Sequence, residues 1–431
     1  MAYENPDTSA PKGFLGKNPC LRIREYLYYL ILRFGLIFCL NMQSTIIYFW
    51  VYQITNDKLS LGLVGLAEVI PAVGFSFISG HFVDIHEKRK MVILCMIGYV
   101  LTGVGLYLLA SPIGMEHFST SELLRMVYLF IFIGGMLRAF YSPSMFALFG
   151  LVVPRAHYTN ATSWSSMAWQ LGAVIGPLAA GFFIAWRGVN GGLLTVIIIE
   201  LILFIPILLI SVKPILKKIA EPVLESVTQG LRFVWKTPAL LSALCLDMFS
   251  VLFGGAVALL PVYQKEILHV NEMGFGILRA APGMGALLTL GLLAFLPLKT
   301  NPGKKLFLCV TGFAISIIIF GISKNFYLSV FMLLLSGMFD AVSVVIRSTI
   351  LQLMTPDEMR GRVAAVNTMF VSSSNELGDF ESGLMAHWLG TVRAVVTGGF
   401  ITLGVVAYTF FNAPELRNFS FEDKKKPTTP T

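Results

Sequence analysis

The feature that most constrains this chain is a recurrence of long apolar runs. Read between polar breaks, twelve of them fall at about 26–52, 60–83, 90–110, 123–150, 158–185, 189–212, 239–263, 274–297, 305–323, 326–351, 362–388 and 392–412. Most reach roughly 20 residues, enough for a helix to cross a hydrocarbon layer of ~30 Å. Composition agrees: 56% of the 431 residues are hydrophobic and 13% charged, against about 25% charged in a soluble domain. A soluble multidomain enzyme, a nucleic-acid binder and a disordered scaffold are excluded at once. The expectation is an all-α integral membrane protein of twelve transmembrane helices, with the lipid bilayer as its main partner.

The net charge of +8 follows from where Lys and Arg sit. With the N-terminus inside, inner segments hold Lys88, Arg89, Lys90, Lys213, Lys217, Lys218, Lys304, Lys305, Arg360 and Arg362, among others. Outer segments hold only Lys58, Arg125, Arg187, Lys265, Lys324 and Arg393. Cationic loops stay on the cytoplasmic side, so both termini are expected there. The resulting division is a cytoplasmic tail (1–25), a six-helix half (26–212), a linker (213–238), a second six-helix half (239–412) and a second tail (413–431). Within the linker, Val223, Val227, Leu231 and Val234 recur at helical spacing, which predicts an amphipathic helix on the membrane surface. The five cysteines form no C-x-x-C pair and read as reduced and inert.

The two halves resemble each other. Gly65, Pro71, Gly74 and Gly80 match Gly276, Pro282, Gly285 and Gly291 at one constant offset; Pro154, Gly176 and Gly181 match Pro356, Gly378 and Gly383 at another. Seven matches in corresponding spans imply two pseudo-symmetric halves around a central site with alternating access.

Ionisable residues inside such spans are costly and face a cavity or a partner. Arg138 lies in span four. Asp340 and Arg347 share a face of span ten, seven residues apart. Span eleven carries Glu376, Asp379 and Glu381. Burial raises a carboxylate pKa and a nearby arginine lowers it, so a carboxylate between these influences can take and release a proton near neutral pH. Glu376 is the first candidate and Asp379 the second, with Asp340, Arg347 and Arg138 as further members; a charge network that only locks helices is the alternative. Arg33, Asn41, Gln43, Glu68, Trp164, Trp169, Asp247 and Arg279 are candidates for a substrate cavity, Glu68 and Arg279 occupying equivalent repeat positions with opposite charge. No metal-ligand cluster, nucleotide-binding P-loop or nucleophile–base arrangement stands out, so neither a metal, a cofactor nor an enzymatic activity is expected.

Two stretches carry a family resemblance. Gly80-His-Phe-Val-Asp84-Ile-His-Glu-Lys88-Arg89-Lys90 resembles the cytoplasmic loop motif of the major facilitator superfamily. It reads as a gate of Gly80, Asp84, Arg89 and Lys90, in which Asp84 pairs with Arg89 or with a helix N-terminus of the other half; the alternative is a solvated loop that only sets topology. Gly172-Ala-Val-Ile-Gly176-Pro177-Leu-Ala-Ala-Gly181 resembles the motif of that superfamily's proton-coupled drug antiporters, with Ala180 in place of one glycine. Small residues four apart let helices approach closely. Thr355-Pro-Asp-Glu-Met-Arg360-Gly-Arg362 and the stretch Ser372 to Gly383 are similar to the enterobactin-exporter-like branch, the transmembrane secretion effectors. The resemblance implies the major facilitator fold in a bacterial inner membrane. It also implies proton-driven export (an antiporter) of an amphipathic small molecule such as a siderophore or drug. The chain itself shows no obligate protein partner, and a monomer is expected. Rival readings are a lipid or lysolipid flippase and a facilitator or metal exporter without proton coupling.

Overall fold

A computed structural model describes residues 18–212, 223–295, 301–356 and 359–420, and among them the regular structure is helical throughout. The expectations for residues 1–17, 213–222 and 421–431 fall outside this set. Spans 1 to 4 are Arg24–Thr55, Lys58–Ile85, Lys88–Ala110 and Thr120–Val152; spans 5 and 6 share Tyr158–Ile202 and continue in Phe204–Leu209. Span 7 begins as Pro238–Gly254, and spans 8 to 12 are Glu272–Phe295, Pro302–Ile322, Phe326–Met354, Arg360–Leu389 and Thr391–Asn412. Ten stretches among the described residues are long and apolar enough to cross a bilayer. One of these, Asn160–Leu209, holds two spans, and the polar span 11 packs among the rest to complete twelve.

Local chemistry sets the helix starts. The Asp57 carboxylate accepts from the Leu59 and Ser60 amides to open span 2. Glu87 does the same for span 3 through the Arg89 and Lys90 amides. A Ser119–Glu122 capping box opens span 4. The hairpin between spans 5 and 6 turns at Gly188, with φ 70° and ψ −178°, a conformation that glycine adopts and a side-chain-bearing residue resists.

Span 7 departs from the single helix expected over 239–263. It breaks at Gly255 and continues as the short turns Val257–Leu259 and Leu260–Val262 and a π-turn at Tyr263–Ile267. Gly254 and Gly255 lower the local helix propensity. The Gly255 carbonyl accepts from the Ser382 hydroxyl of span 11 at 2.5 Å. The linker helix spans Val223–Trp235. Rather than resting only on a membrane surface, it packs against the start of span 11, where the Arg362 side chain bonds Gln229 and Val234 is buried.

Span 1 packs on spans 5 and 6, and span 4 on spans 2 and 3; in the second half, spans 9 and 8 flank span 10, and span 7 lies on spans 11 and 12. The halves meet through spans 2 with 11 and 5 with 8. At the end near Asp57 this seam is shut. A Cβ on Gly62 would lie 3.2 Å from the Gly383 Cα, and one on Gly181 would lie 2.9 Å from the Gly276 Cα. Toward the basic end, a Cβ on Gly74, Gly80 or Gly291 would meet nothing within 4 Å. The bundle is closed at one end of the seam and slack at the other. Gly172 and Gly176 of the small-residue motif seat span 5 on the span 1 backbone, at Phe34 and Phe38. Pro177 and Gly181 continue the same run to span 8, at Gly276.

Candidate functional site

Between the halves lies a cavity of about 520 Å³. Arg138 of span 4 is its electrostatic centre. One guanidinium nitrogen, Nη1, donates to Glu68 Oε1 of span 2 at 2.6 Å and to Glu376 Oε1 of span 11 at 2.7 Å. Glu68 and Arg138 belong to the first half and Glu376 to the second, so this triad ties the halves across the cavity. Glu376 is buried, and its other oxygen, Oε2, has no hydrogen-bond partner among the described residues. Two carboxylates on one arginine leave an excess negative charge if both are ionised; a single proton neutralises it and weakens one of the two bonds.

A second cross-half group lies beside the first. The Tyr48 hydroxyl of span 1 donates to Asp379 Oδ2 of span 11 at 2.5 Å. The Arg279 guanidinium of span 8 lies over the Tyr48 ring, 4.6 Å from its centroid, and its Nη2 donates to Ser44 Oγ at 3.1 Å. Asn41, Gln43 and Trp169 also line the cavity, and Gln43 Oε1 has no partner among the described residues.

Other sequence candidates sit elsewhere. Asp247 and Arg347 form an ion pair within the second half, each side chain 7% exposed, and Asp247 and Asp340 line a separate small pocket there. Arg33 lies outside the cavity wall and donates through Nε to the Ser165 carbonyl at 3.3 Å. Trp164 also leaves the wall: its indole N–H bonds Asn18 Oδ1 at 2.9 Å, holding the N-terminal turn Pro19–Arg22 near the start of span 5. Among the described residues, Arg89 binds neither the other half nor a carboxylate side chain. Its guanidinium donates to the Ile207 and Leu208 carbonyls at 3.1 and 3.0 Å, satisfying the last carbonyls of span 6. Lys90 is exposed, and the Asp84 side chain lies outside the described residues.

Sequence reasoning passed over Ser44, Tyr99, Thr102 and Tyr141, all of which line the cavity. Ser44 had a signal, since it lies four residues before Tyr48 and three after Asn41 on one helical face. It also passed over the polar contacts that join the halves at the shut end. Lys58 and the Tyr52 hydroxyl meet Glu266, Lys265 Nζ donates to Asn56 Oδ1 at 2.6 Å, and His387 Nδ1 lies 3.4 Å from Asp57 Oδ1. Among the described residues, no group of three or more His, Cys, Asp or Glu converges as a metal site.

Comparison with known proteins bears on this geometry. The model of the Major Facilitator Superfamily matches residues 29–378. The enterobactin exporter EntS of Escherichia coli (strain K12) is 26% identical over 398 residues, covering 90% of this chain and 91% of the relative. The EntS of Shigella boydii serotype 18 is similar to the same extent. A bacterial homologue of the human lysosomal transporter Spinster, in an inward-facing and unoccupied conformation, superposes with a TM-score of 0.69 at 16% identity, over 92% of this chain and 99% of that one. A D-xylose–proton symporter superposes with a TM-score of 0.70 at 13% identity, over 92% and 99%. At such identities the solved structures speak for the fold alone. With a family model over most of the chain and twelve spans in two halves around a charged cavity, the chain belongs to the Major Facilitator Superfamily: it is a multi-pass membrane transporter, not an enzyme.

Proposed function

We propose that the chain is a proton-coupled exporter of an amphipathic small molecule, working by alternating access between the six-helix halves. The observation that carries this reading is the Arg138 guanidinium shared by Glu68 and Glu376 across the halves. In the unloaded, ionised state the pair locks the seam shut at the Asp57 end. A proton on Glu376 releases it, and so does cargo bound in the cavity, whose contacts with both halves offset the lock. Exchange follows, because only a loaded carrier escapes the lock. The excess of Lys and Arg on one side supports a cytoplasmic basic end. The conformation described is then inward-facing, with the outer end closed by Lys58, Glu266, Asp57 and His387. Likeness to enterobactin exporters supports export, a siderophore-like or drug-like cargo and a bacterial inner membrane.

The test is proton movement in proteoliposomes that are acidified inside and carry the protein with its basic face outward. Candidate siderophores and amphipathic drugs are added in turn. A compound that dissipates the gradient with the parent protein but not with Glu376→Gln supports antiport. Labelled compounds crossing without proton movement would replace it with a facilitator or flippase.

A further inference from the structure

Two arginines line the cavity, and among the described residues only Arg138 is held in a direct ion pair. Arg138 spends its charge on Glu68 and Glu376. Among the described residues, Arg279 has no carboxylate within ion-pair distance. Among the described residues the Arg279 guanidinium makes a single hydrogen bond, from Nη2 to the Ser44 hydroxyl, and its buried Nη1 meets no partner. Asp379, which lines the same cavity, accepts instead from the Tyr48 hydroxyl. That bond holds the Tyr48 ring with its face toward Arg279. A cation kept this way in a membrane-embedded cavity is costly unless a counter-charge arrives. Its planar fork of donors matches the two oxygens of a carboxylate, phosphate or sulfonate. The cavity wall also carries apolar and aromatic side chains, Ile37, Leu40, Ile47, Phe130 and Trp169 among them.

We propose that Arg279, steadied by Ser44 and the Tyr48 ring, is the receptor for an anionic group on the transported molecule, so that the cargo is an amphipathic organic anion and not an organic cation. This rests on the transport reading and narrows its substrate class. The two charged groups divide the work. The Glu68–Arg138–Glu376 triad takes the proton, and Arg279 takes the anionic end of the cargo while its apolar body lies against the wall. Asp379 is engaged by Tyr48 and not by Arg279, which leaves Arg279 Nη1 without a bond among the described residues.

The experiment is calorimetric titration of the full-length protein in nanodiscs with three probes of one shape: 2-naphthoate, its neutral amide and 2-naphthylmethylammonium. A charge-assisted pair at Arg279 gives the carboxylate about tenfold or more in affinity over the amide. The preference is expected to vanish in Arg279→Gln and to persist in Arg279→Lys, which restores the charge. Amide or ammonium binding as tightly as naphthoate overturns the proposal. So does an unchanged preference in Arg279→Gln, and so does no binding of any probe at millimolar concentration. If the Gln variant does not fold, the parent's ranking of the three probes still decides. Failure of the transport reading would show separately, as absence of flux in the proteoliposome assay, whatever these titrations give.

Discussion

Placing a side chain in the seam between spans 5 and 8 is expected to change which end of the transporter is open. A Cβ on Gly181 would lie 2.7 Å from the Glu272 carbonyl oxygen and 2.9 Å from the Gly276 Cα. Both neighbours are backbone and cannot swing aside as a side chain does. Gly181→Val therefore overpacks the shut state, at a cost of about 1–3 kcal/mol. The opened state, with spans 5 and 8 parted at this end, bears none of that cost. The closed-to-open ratio falls by the same free energy, roughly 5- to 150-fold. The assay is electron–electron distance measurement between spin labels at Phe118 and Lys324, both exposed. The background lacks Cys20, Cys39, Cys95, Cys245 and Cys309, the free cysteines. The parent is expected to give a short, narrow distance distribution and the variant a longer one. A folded Gly181→Val protein with the parent's distribution would refute the claim that this seam closes one end.

Other outcomes follow from particular contacts. Asp247→Asn removes the carboxylate paired with the buried Arg347 and is expected to destabilise by about 3–5 kcal/mol, as read from thermal unfolding in detergent. Arg89→Ala removes two bonds to the end of span 6 and is expected to lower stability by about 1 kcal/mol, while Lys90→Ala, at an exposed site, stays within about 0.5 kcal/mol. At Asp57, burial pushes the carboxyl pKa upward, but bonds from Ser60 and Leu59, with His387 beside it, outweigh this and hold it below its usual value. A lowered folded pKa contributes stability above the unfolded value, near 3.9, and loses it as pH falls through the folded one. The parent's advantage over Asp57→Ala, about 1 kcal/mol for a lost cap, is thus expected to be level from neutral pH down to about 5 and to shrink below about 4, as read from unfolding at stepped pH.

Much of this organisation is legible in the chain. Apolar run length finds the spans because a bilayer demands it, and some of the glycines matched between the halves (Gly65, Gly181, Gly276, Gly378 and Gly383) lie where helices cross closely, whereas Gly74, Gly80 and Gly291 do not. Gly181 and Gly276 do face each other, as do Gly62 and Gly383. The charged residues of spans two, four, eight and eleven stand out because they are expensive there. What periodicity does not carry is the partner. Glu68 and Glu376 reach Arg138 across 70 and 238 residues of chain, a meeting decided by helix packing. The same limit explains Arg89, whose basic loop reads as a gate but whose guanidinium finds the bare carbonyls of span 6 first. Trp164 and Trp169 are five residues apart and fall on different sides of span 5, so only Trp169 reaches the cavity. The break in span 7 depends on Ser382 being at hand to bond the Gly255 carbonyl, which no local reading of Gly254 and Gly255 supplies.

The central claim is that the ionised Glu376 holds the two halves together through Arg138. It is tested most directly without any cargo, by following the Phe118–Lys324 spin-label distance as pH is lowered. Glu68, Asp379, Arg279 and the His387–Asp57 contact also carry charge near this seam, so Glu376→Gln is measured beside the parent. The expected result is a closed distance at high pH in the parent that lengthens on acidification, and a long distance at every pH in Glu376→Gln. A parent distance that ignores pH, or a variant that follows pH as the parent does, would contradict the claim.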